Sequence, residues 1–197
     1  MTSILKADTI QDTDGNNIIN ENSNTITIGA SGDTISIPSG ATFNINGTAG
    51  TGIGTNTPAF QAHMDGGLTI ANTTWTKLPM DAEVFDTDGT YDHSSNYRFT
   101  PGVAGKYWVW GKFRYDDNAT ITDAQMGIYK NGSLVSKTTE YSSDPTTIKL
   151  GQTFTLNATD YLEIYAYQNS GGNSTINGSS SFPEQDAGTW GAYKIIT

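Results

Sequence analysis

Residues 91–133 read YDHSSNYRFTPGVAGKYWVWGKFRYDDNATITDAQMGIYKNGS. Within them Tyr107, Val109, Gly111, Phe113 and Tyr115 alternate with Lys106, Trp108, Trp110, Lys112 and Arg114. A period of two is the mark of a strand with two different faces. Pro101-Gly102 supplies a turn ahead of it, and Asn131-Gly132 sits between two further strand-like runs. A tight hairpin needs positive φ at its central residues, which Asn and Gly tolerate best. Both faces of the central strand carry aromatic rings, so one row must be core. The other lines an assembly axis or forms an exposed surface on which sugars stack.

Outward from this stretch the same pattern recurs. Strands are predicted at 59–64, 67–70, 74–80, 97–100, 105–116, 123–130, 133–141, 146–156, 160–167 and 189–196. Asp88-Gly89, Gly151-Gln152, Gly171-Gly172 and Asn177-Gly178 add turn signals between them. No amphipathic helix stands out. Short strands with frequent turns predict an all-β fold, a β-sandwich of jelly-roll type.

Bulk composition narrows the function. The 197-residue chain has a net charge of −10, with its acidic residues spread out rather than clustered, so a basic nucleic-acid-binding surface is not expected. It has no cysteine, which excludes disulfides, thiol catalysis and zinc–thiolate sites. The amino terminus lacks an apolar core of signal-peptide length, and no run approaches the ~20 apolar residues of a membrane helix. No membrane insertion is therefore expected. The Asn-x-Ser/Thr triplets at Asn46, Asn72, Asn118, Asn131, Asn157, Asn173 and Asn177 read as by-products of a composition rich in Asn, Ser and Thr.

The chain divides by composition. Residues 1–58 contain no Trp or Tyr and one Phe; all four Trp and all ten Tyr lie in 59–197. The expected organisation is an attachment arm at 1–23, a β-repeat stem at 24–46, a Gly-rich linker at 47–58 and a knob at 59–197. The repeat runs Thr25-Ile26-Thr27-Ile28-Gly29, Thr34-Ile35-Ser36-Ile37-Pro38 and Thr42-Phe43-Asn44-Ile45-Asn46. Each unit is predicted to be a short strand wound into a fibre, with Ile26, Ile28, Ile35, Ile37, Phe43 and Ile45 on one face. Six apolar side chains on three short strands are too few for an independent core. Identical copies are the simplest cover, which predicts a homotrimer with those six residues inside. A flexible polar tail is the rival reading.

The order of parts in 59–197 resembles the globular head of the complement one-q recognition molecule, a jelly roll shared with tumour necrosis factor. Ala59-Phe60-Gln61-Ala62-His63 looks like that family's opening strand. Phe85-Asp86 with Tyr91-Asp92, Phe99-Thr100-Pro101-Gly102 with Gly105-Lys106-Tyr107-Trp108, and Ala124 to Ser133 resemble its successive segments. Leu150-Gly151-Gln152 with Tyr161-Leu162-Glu163-Ile164 is similar to the later pair, and Thr189 to Ile195 stands where the family closes. Trp190 occupies the place of the family's closing Phe, and there is no collagen stalk. The resemblance implies a tight trimer around an apolar axis. The Thr-Ile-Thr-Ile-Gly repeat and the Ser3-to-Ile10 opening look like tail-fibre or decoration proteins of marine bacteriophages. That implies a virion protein bound to other virion proteins through its amino-terminal segment.

Catalytic groups are sparse. His63 lies in a predicted strand and reads as a packing or interface residue. Asp92-His93-Ser94 is a poor triad, because triads converge from separate segments. The carboxylate pairs Asp86/Asp88 and Asp116/Asp117 stand in loops, where Asp mostly forms turns, although glycosidases do use paired carboxyls. Asp116, Asp117 and Asp123 are the candidates for calcium. No cofactor is expected. The polar loops at 141–147 and 168–182, around Ser143, Asn169 and Asn173, are the candidate contact surfaces for a receptor, a bacterial surface glycan or protein. The expected function is a non-enzymatic trimeric phage fibre whose distal knob adheres to the host. A capsid head-decoration trimer and a surface-glycan depolymerase are the alternatives.

Overall fold

The computed structural model describes residues 9–11, 13, 17–22, 25–28, 31–42, 56–115, 121–142, 147–179 and 188–195. The chain forms two compact units, Met1–Gly50 and Thr51–Thr197.

In the amino-terminal unit, β1 (Thr9–Gln11), β2 (Asn17–Asn22) and β3 (Thr25–Ile28) form an antiparallel meander in that order. Its register aligns Ile10 with Ile19 and Ile19 with Ile28, a row of isoleucines across all three strands. The first repeat unit is thus a strand, as expected, but it pairs with the segment before it. The second unit departs from expectation, for residues 31–42 contain no strand. Alternation alone does not make a strand without a neighbouring ladder to satisfy its backbone. In the third unit, Phe43 and Ile45 lie outside the described residues.

The larger unit is all β among its described residues. Its strands are β4 (Ala59–His63), β5 (Leu68–Ile70), β6 (Thr76–Lys77), β7 (Ala82–Asp86), β8 (Tyr91–Asp92) and β9 (Arg98–Phe99). They continue with β10 (Gly105–Arg114), β11 (Ile121–Lys130), β12 (Ser133–Ser142), β13 (Thr147–Leu156), β14 (Leu162–Gln168), β15 (Ser174–Ile176) and β16 (Thr189–Lys194). One sheet has the order β13-β10-β16-β4-β7. The other has the order β12-β11-β14-β9-β8, with β6 also beside β14, and β15 pairs with β5. Beside the sequence-adjacent pairs β11–β12 and β8–β9, strands distant in sequence are neighbours, and all the pairings are antiparallel.

The core lies between the two main sheets. Tyr107, Val109 and Phe113 are buried there with Tyr115, so this is the core row of the central strand. Phe60 stacks on Tyr91 at 4.5 Å and on Phe99 at 4.9 Å, and meets Trp190 edge-on at 5.0 Å. Phe99 packs edge-on against Tyr107 at 5.6 Å. These five rings come from five separate strands and tie the two sheets together. Each sits in a segment that carried the family resemblance, so the scattered motifs are the parts of one buried cluster. Aromatic pairs add about 0.5–1.5 kcal/mol each beyond the area they bury. The two phenol hydroxyls are satisfied, that of Tyr91 donating to the Met80 carbonyl at 2.9 Å and that of Tyr107 to Val103 at 2.6 Å, while the Trp190 indole Nε1 is buried without a hydrogen-bond partner. Burial pushes both phenols above their ordinary pKa.

Turn chemistry closes the hairpins. Asn131 and Gly132 adopt φ of 52° and 79°, as the β11–β12 turn requires. Asp160 holds that turn: Asn131 Nδ2 donates to its Oδ1 at 2.8 Å, and Asn157 N and Lys130 Nζ to its Oδ2 at 2.8 Å.

Candidate functional site

The outer row of β10 is Lys106, Trp108, Trp110, Lys112 and Arg114. It faces away from the core, and neighbouring strands extend it into a surface. The register places Trp108 between Tyr193 and Thr153, and Trp110 between Gly191 and Gly151. Glycine on both sides matters here for space. A Cβ at Gly151 would lie 2.7 Å from the Trp108 indole, and one at Gly191 would lie 3.1 Å from the Trp110 indole. The two indoles therefore rest on a floor of bare backbone. Further across the sheet, Tyr193 neighbours Ala59, and Gln61 neighbours Phe85. Trp108, Tyr193 and Phe85 are 36, 39 and 44% exposed, and the adjacent Val84 is 51% exposed. A shallow groove of 420 Å³ runs beside Trp108, Trp110, Lys112 and Lys149. Large rings left in water on one flat sheet face are the mark of an interaction surface.

His63 lies on this same face, level with Thr189 and Ala82, and its Nδ1 is buried without a hydrogen-bond partner. Its place agrees with an interface or packing role. The amino-terminal unit shows a similar surplus. Ile26, Ile28, Ile35 and Ile37 are 68, 55, 60 and 48% exposed, so four of the six expected stem-core residues lie uncovered in a single chain.

The outer side of the six-stranded sheet is different, because its rings cover one another. Trp75 packs over Gly127 and against Tyr129 and Tyr167, at 5.9 and 5.3 Å, while Tyr129 and Tyr165 are 4.1 Å apart. Beneath them, the buried Glu163 is ion-paired with Lys77.

The candidate chemical groups are occupied in building turns. Asp92 accepts from the backbone N–H of Ser94, Ser95 and Asn96 at 3.1, 2.9 and 3.1 Å, and from Asn96 Nδ2 at 2.7 Å. The Ser95 backbone donor, then the Asn96 side chain, hold its carboxyl well below the usual range. Ser94 Oγ also donates to Asp92, while His93 Nδ1 lies 3.3 Å from the Asp81 carbonyl oxygen. The three residues form a capped turn with no relay from serine to histidine. Asp86 accepts from Tyr91 N at 2.7 Å and from Thr90 Oγ1 at 3.1 Å; Asp88 N donates to it at 3.2 Å.

Of the calcium candidates, Asp116 and Asp117 lie outside the described residues. Asp123 accepts from Gln125 Nε2 on both carboxylate oxygens at 2.8 Å. Among the described residues no three His, Cys, Asp or Glu side chains gather as a metal set. Of the contact loops, Ser143 lies outside the described residues. Asn169 is anchored through its backbone to Asp123 and Thr122, at 2.9 and 3.1 Å. Asn173 is exposed, yet Ser174 and Ile176 just beyond it are buried in β15. The tip of that loop is therefore Gly171 to Asn173.

No protein-family model matches the chain, and no curated protein does. Solved structures do. Eiger, a tumour necrosis factor from S. frugiperda, superposes with a TM-score of 0.50 at 12% identity, over 70% of this chain and 91% of that one. Murine APRIL gives 0.51 at 10% identity, over 70% of this chain and 98% of that one. The globular domain of zebrafish complement 1qA gives 0.47 at 12% identity, over 68 and 94%, and no argument rests on it. The fold of the larger unit is thus a jelly roll of the tumour-necrosis-factor type, as the sequence led us to expect. At these identities the likeness carries the fold alone.

Proposed function

We propose that this chain is a non-enzymatic, homotrimeric structural and recognition protein of a bacteriophage particle. In this reading the jelly-roll knob self-associates through the outer face of its five-stranded sheet. The observation that carries it is the exposed row of Trp108, Tyr193 and Phe85 around the half-buried Trp110. The uncovered isoleucines of the amino-terminal unit support the same conclusion, since both units present apolar surface that a single chain leaves in water. The virion setting rests on the resemblance of the amino-terminal repeat and opening to phage fibre and decoration proteins. Adhesion to a bacterial surface would fall to knob loops, where three copies raise avidity without new contacts.

The carboxylate pair Asp86/Asp88, spent on turn hydrogen bonds from Thr87, Thr90 and Tyr91, weighs against the depolymerase reading. The shortness of the repeat at 24–46 favours the head-decoration version as the second reading. Labelling of intact particles with an antibody to the knob tests both. Label at the tail supports the fibre, label over the capsid replaces it with the decoration trimer, and absence from particles overturns the virion assignment.

A further inference from the structure

His63 stands in a row of side chains that crosses the outer face of the five-stranded sheet. It is level with Thr189 of β16, which is level with Lys112 of β10, itself level with Lys149 of β13. On its other side it meets Ala82 of β7. Lys106 and Arg114 of β10 share this face, so the charged groups it carries from the five strands are all cations. The two carboxylates of these strands point the other way, because Glu83 is level with the buried Ala62 and Asp86 with the buried Phe60. Lys194 likewise is level with the buried Tyr107. Among the described residues the ion pairs are Lys77–Glu163 and Lys130–Asp160, none of them a residue of these strands.

Beyond the strand ends, Asp65 follows β4 and Asp81 precedes β7. Both are engaged locally: Asp81 Oδ1 accepts from the Asp65 N–H at 2.8 Å, and Asp65 Oδ1 from Ser179 Oγ at 3.0 Å. His63 Nδ1 is buried and has no hydrogen-bond partner. A neutral imidazole can leave that nitrogen as a bare lone pair, but an imidazolium must put a proton on it. The proton would be a buried donor with no acceptor, on a face whose fixed charges are already positive. In a single chain the half-buried ring lies on an open face and can turn its nitrogen to water. Under a second copy it cannot.

We infer that His63 is a pH switch for assembly: copies associate through this face while its imidazole is neutral, and protonation drives them apart. This rests on the self-association proposed above and adds its control. Histidine is the side chain whose ordinary pKa puts its change of charge between about pH 5 and 8. Lysine, arginine and carboxylate side chains ordinarily titrate outside that window. A covered face excludes the proton and an open one admits it, so by linkage the proton opposes assembly. Assembly is therefore complete at the upper end of the window and is lost as pH falls through it. The other histidine, His93, lies outside the row, with Nδ1 3.3 Å from the Asp81 carbonyl oxygen.

Sedimentation of the full chain at about pH 8 and about pH 5.5 tests this, with near-ultraviolet circular dichroism at both to follow the fold. The wild type should assemble about tenfold or more weakly at the lower pH, with its fold intact. His63→Gln keeps a neutral polar group and should assemble equally at the two. His63→Arg places a fixed cation there and should assemble poorly at both. His93→Gln should keep the wild-type dependence. If the wild type assembles equally at the two pH values, the switch is absent while self-association stands. If His63→Gln keeps the dependence, or His93→Gln loses it, another group carries it and the inference fails. Wild-type-like assembly of His63→Arg would sink it as well. Loss of the dichroism signal together with assembly would mean acid unfolding in place of a switch. A wild type that is monomeric at the higher pH overturns the self-association reading itself.

Discussion

A single carboxylate shows how a surface loop is held. Asp160 accepts from Lys130, Asn131 and the Asn157 backbone, and these donors bring its pKa down to about 2. Because the folded value lies below the unfolded one of about 4, its contribution is complete above pH 4. It is lost as pH falls from about 4 towards 2. Melting curves across that range should show Asp160→Asn less stable than wild type at pH 6, with the difference narrowing toward pH 2. A constant difference would remove the carboxylate from the account. Gly191 makes a second residue-scale prediction. A Cβ there would stand 2.6 Å from the Phe60 carbonyl oxygen, which is backbone and cannot rotate away. Gly191→Ala should therefore cost about 1–3 kcal/mol in a denaturant titration. Neither effect was legible in the sequence, where Asp160 and Gly191 both fall in predicted strands. Lys130 and Asn131 stand about 30 positions from Asp160, and Phe60 about 130 from Gly191.

At the scale of elements, β10 was legible because its alternation is long and uninterrupted. What the alternation left open was which row faces inward, since both rows carry rings. The neighbours decide it: β13 and β16 place Gly151 and Gly191 beside Trp110, and β9 places Phe99 against Tyr107 of the other row. Strands β7 and β8 escaped the reading, although both lie in segments quoted for the family resemblance. In Ala82–Asp86 a bulge at Val84 breaks the period, and Tyr91–Asp92 is only two residues long. Strand β15 was hidden in a stretch rich in Gly, Ser and Asn, and is a strand because β5 offers it a ladder. The second repeat unit failed in the opposite sense, for it alternates well and has no ladder. The ion pair between β6 and β14 gives a prediction at this scale. Lys77→Met leaves the buried Glu163 without its cation and should cost about 1–3 kcal/mol. Adding Glu163→Gln should recover much of it, measured as a double-mutant cycle on the knob's unfolding. Additive losses would mean the two side chains do not cooperate.

For the whole molecule, the core and the outer face play separate parts. The ring cluster of Phe60, Tyr91, Phe99, Tyr107 and Trp190 makes the jelly roll, and it is complete within one chain. The outer row of Trp108, Trp110, Tyr193 and Phe85 adds nothing to that core and is left facing water. The central claim is that identical copies cover it. The most direct measurement is sedimentation equilibrium of the full chain beside Trp108→Asp, with near-ultraviolet circular dichroism to confirm the fold. The expected result is a wild-type trimer at micromolar concentration and a folded, monomeric variant. A wild type that sediments as a folded monomer, or a variant as trimeric as the wild type, would contradict it.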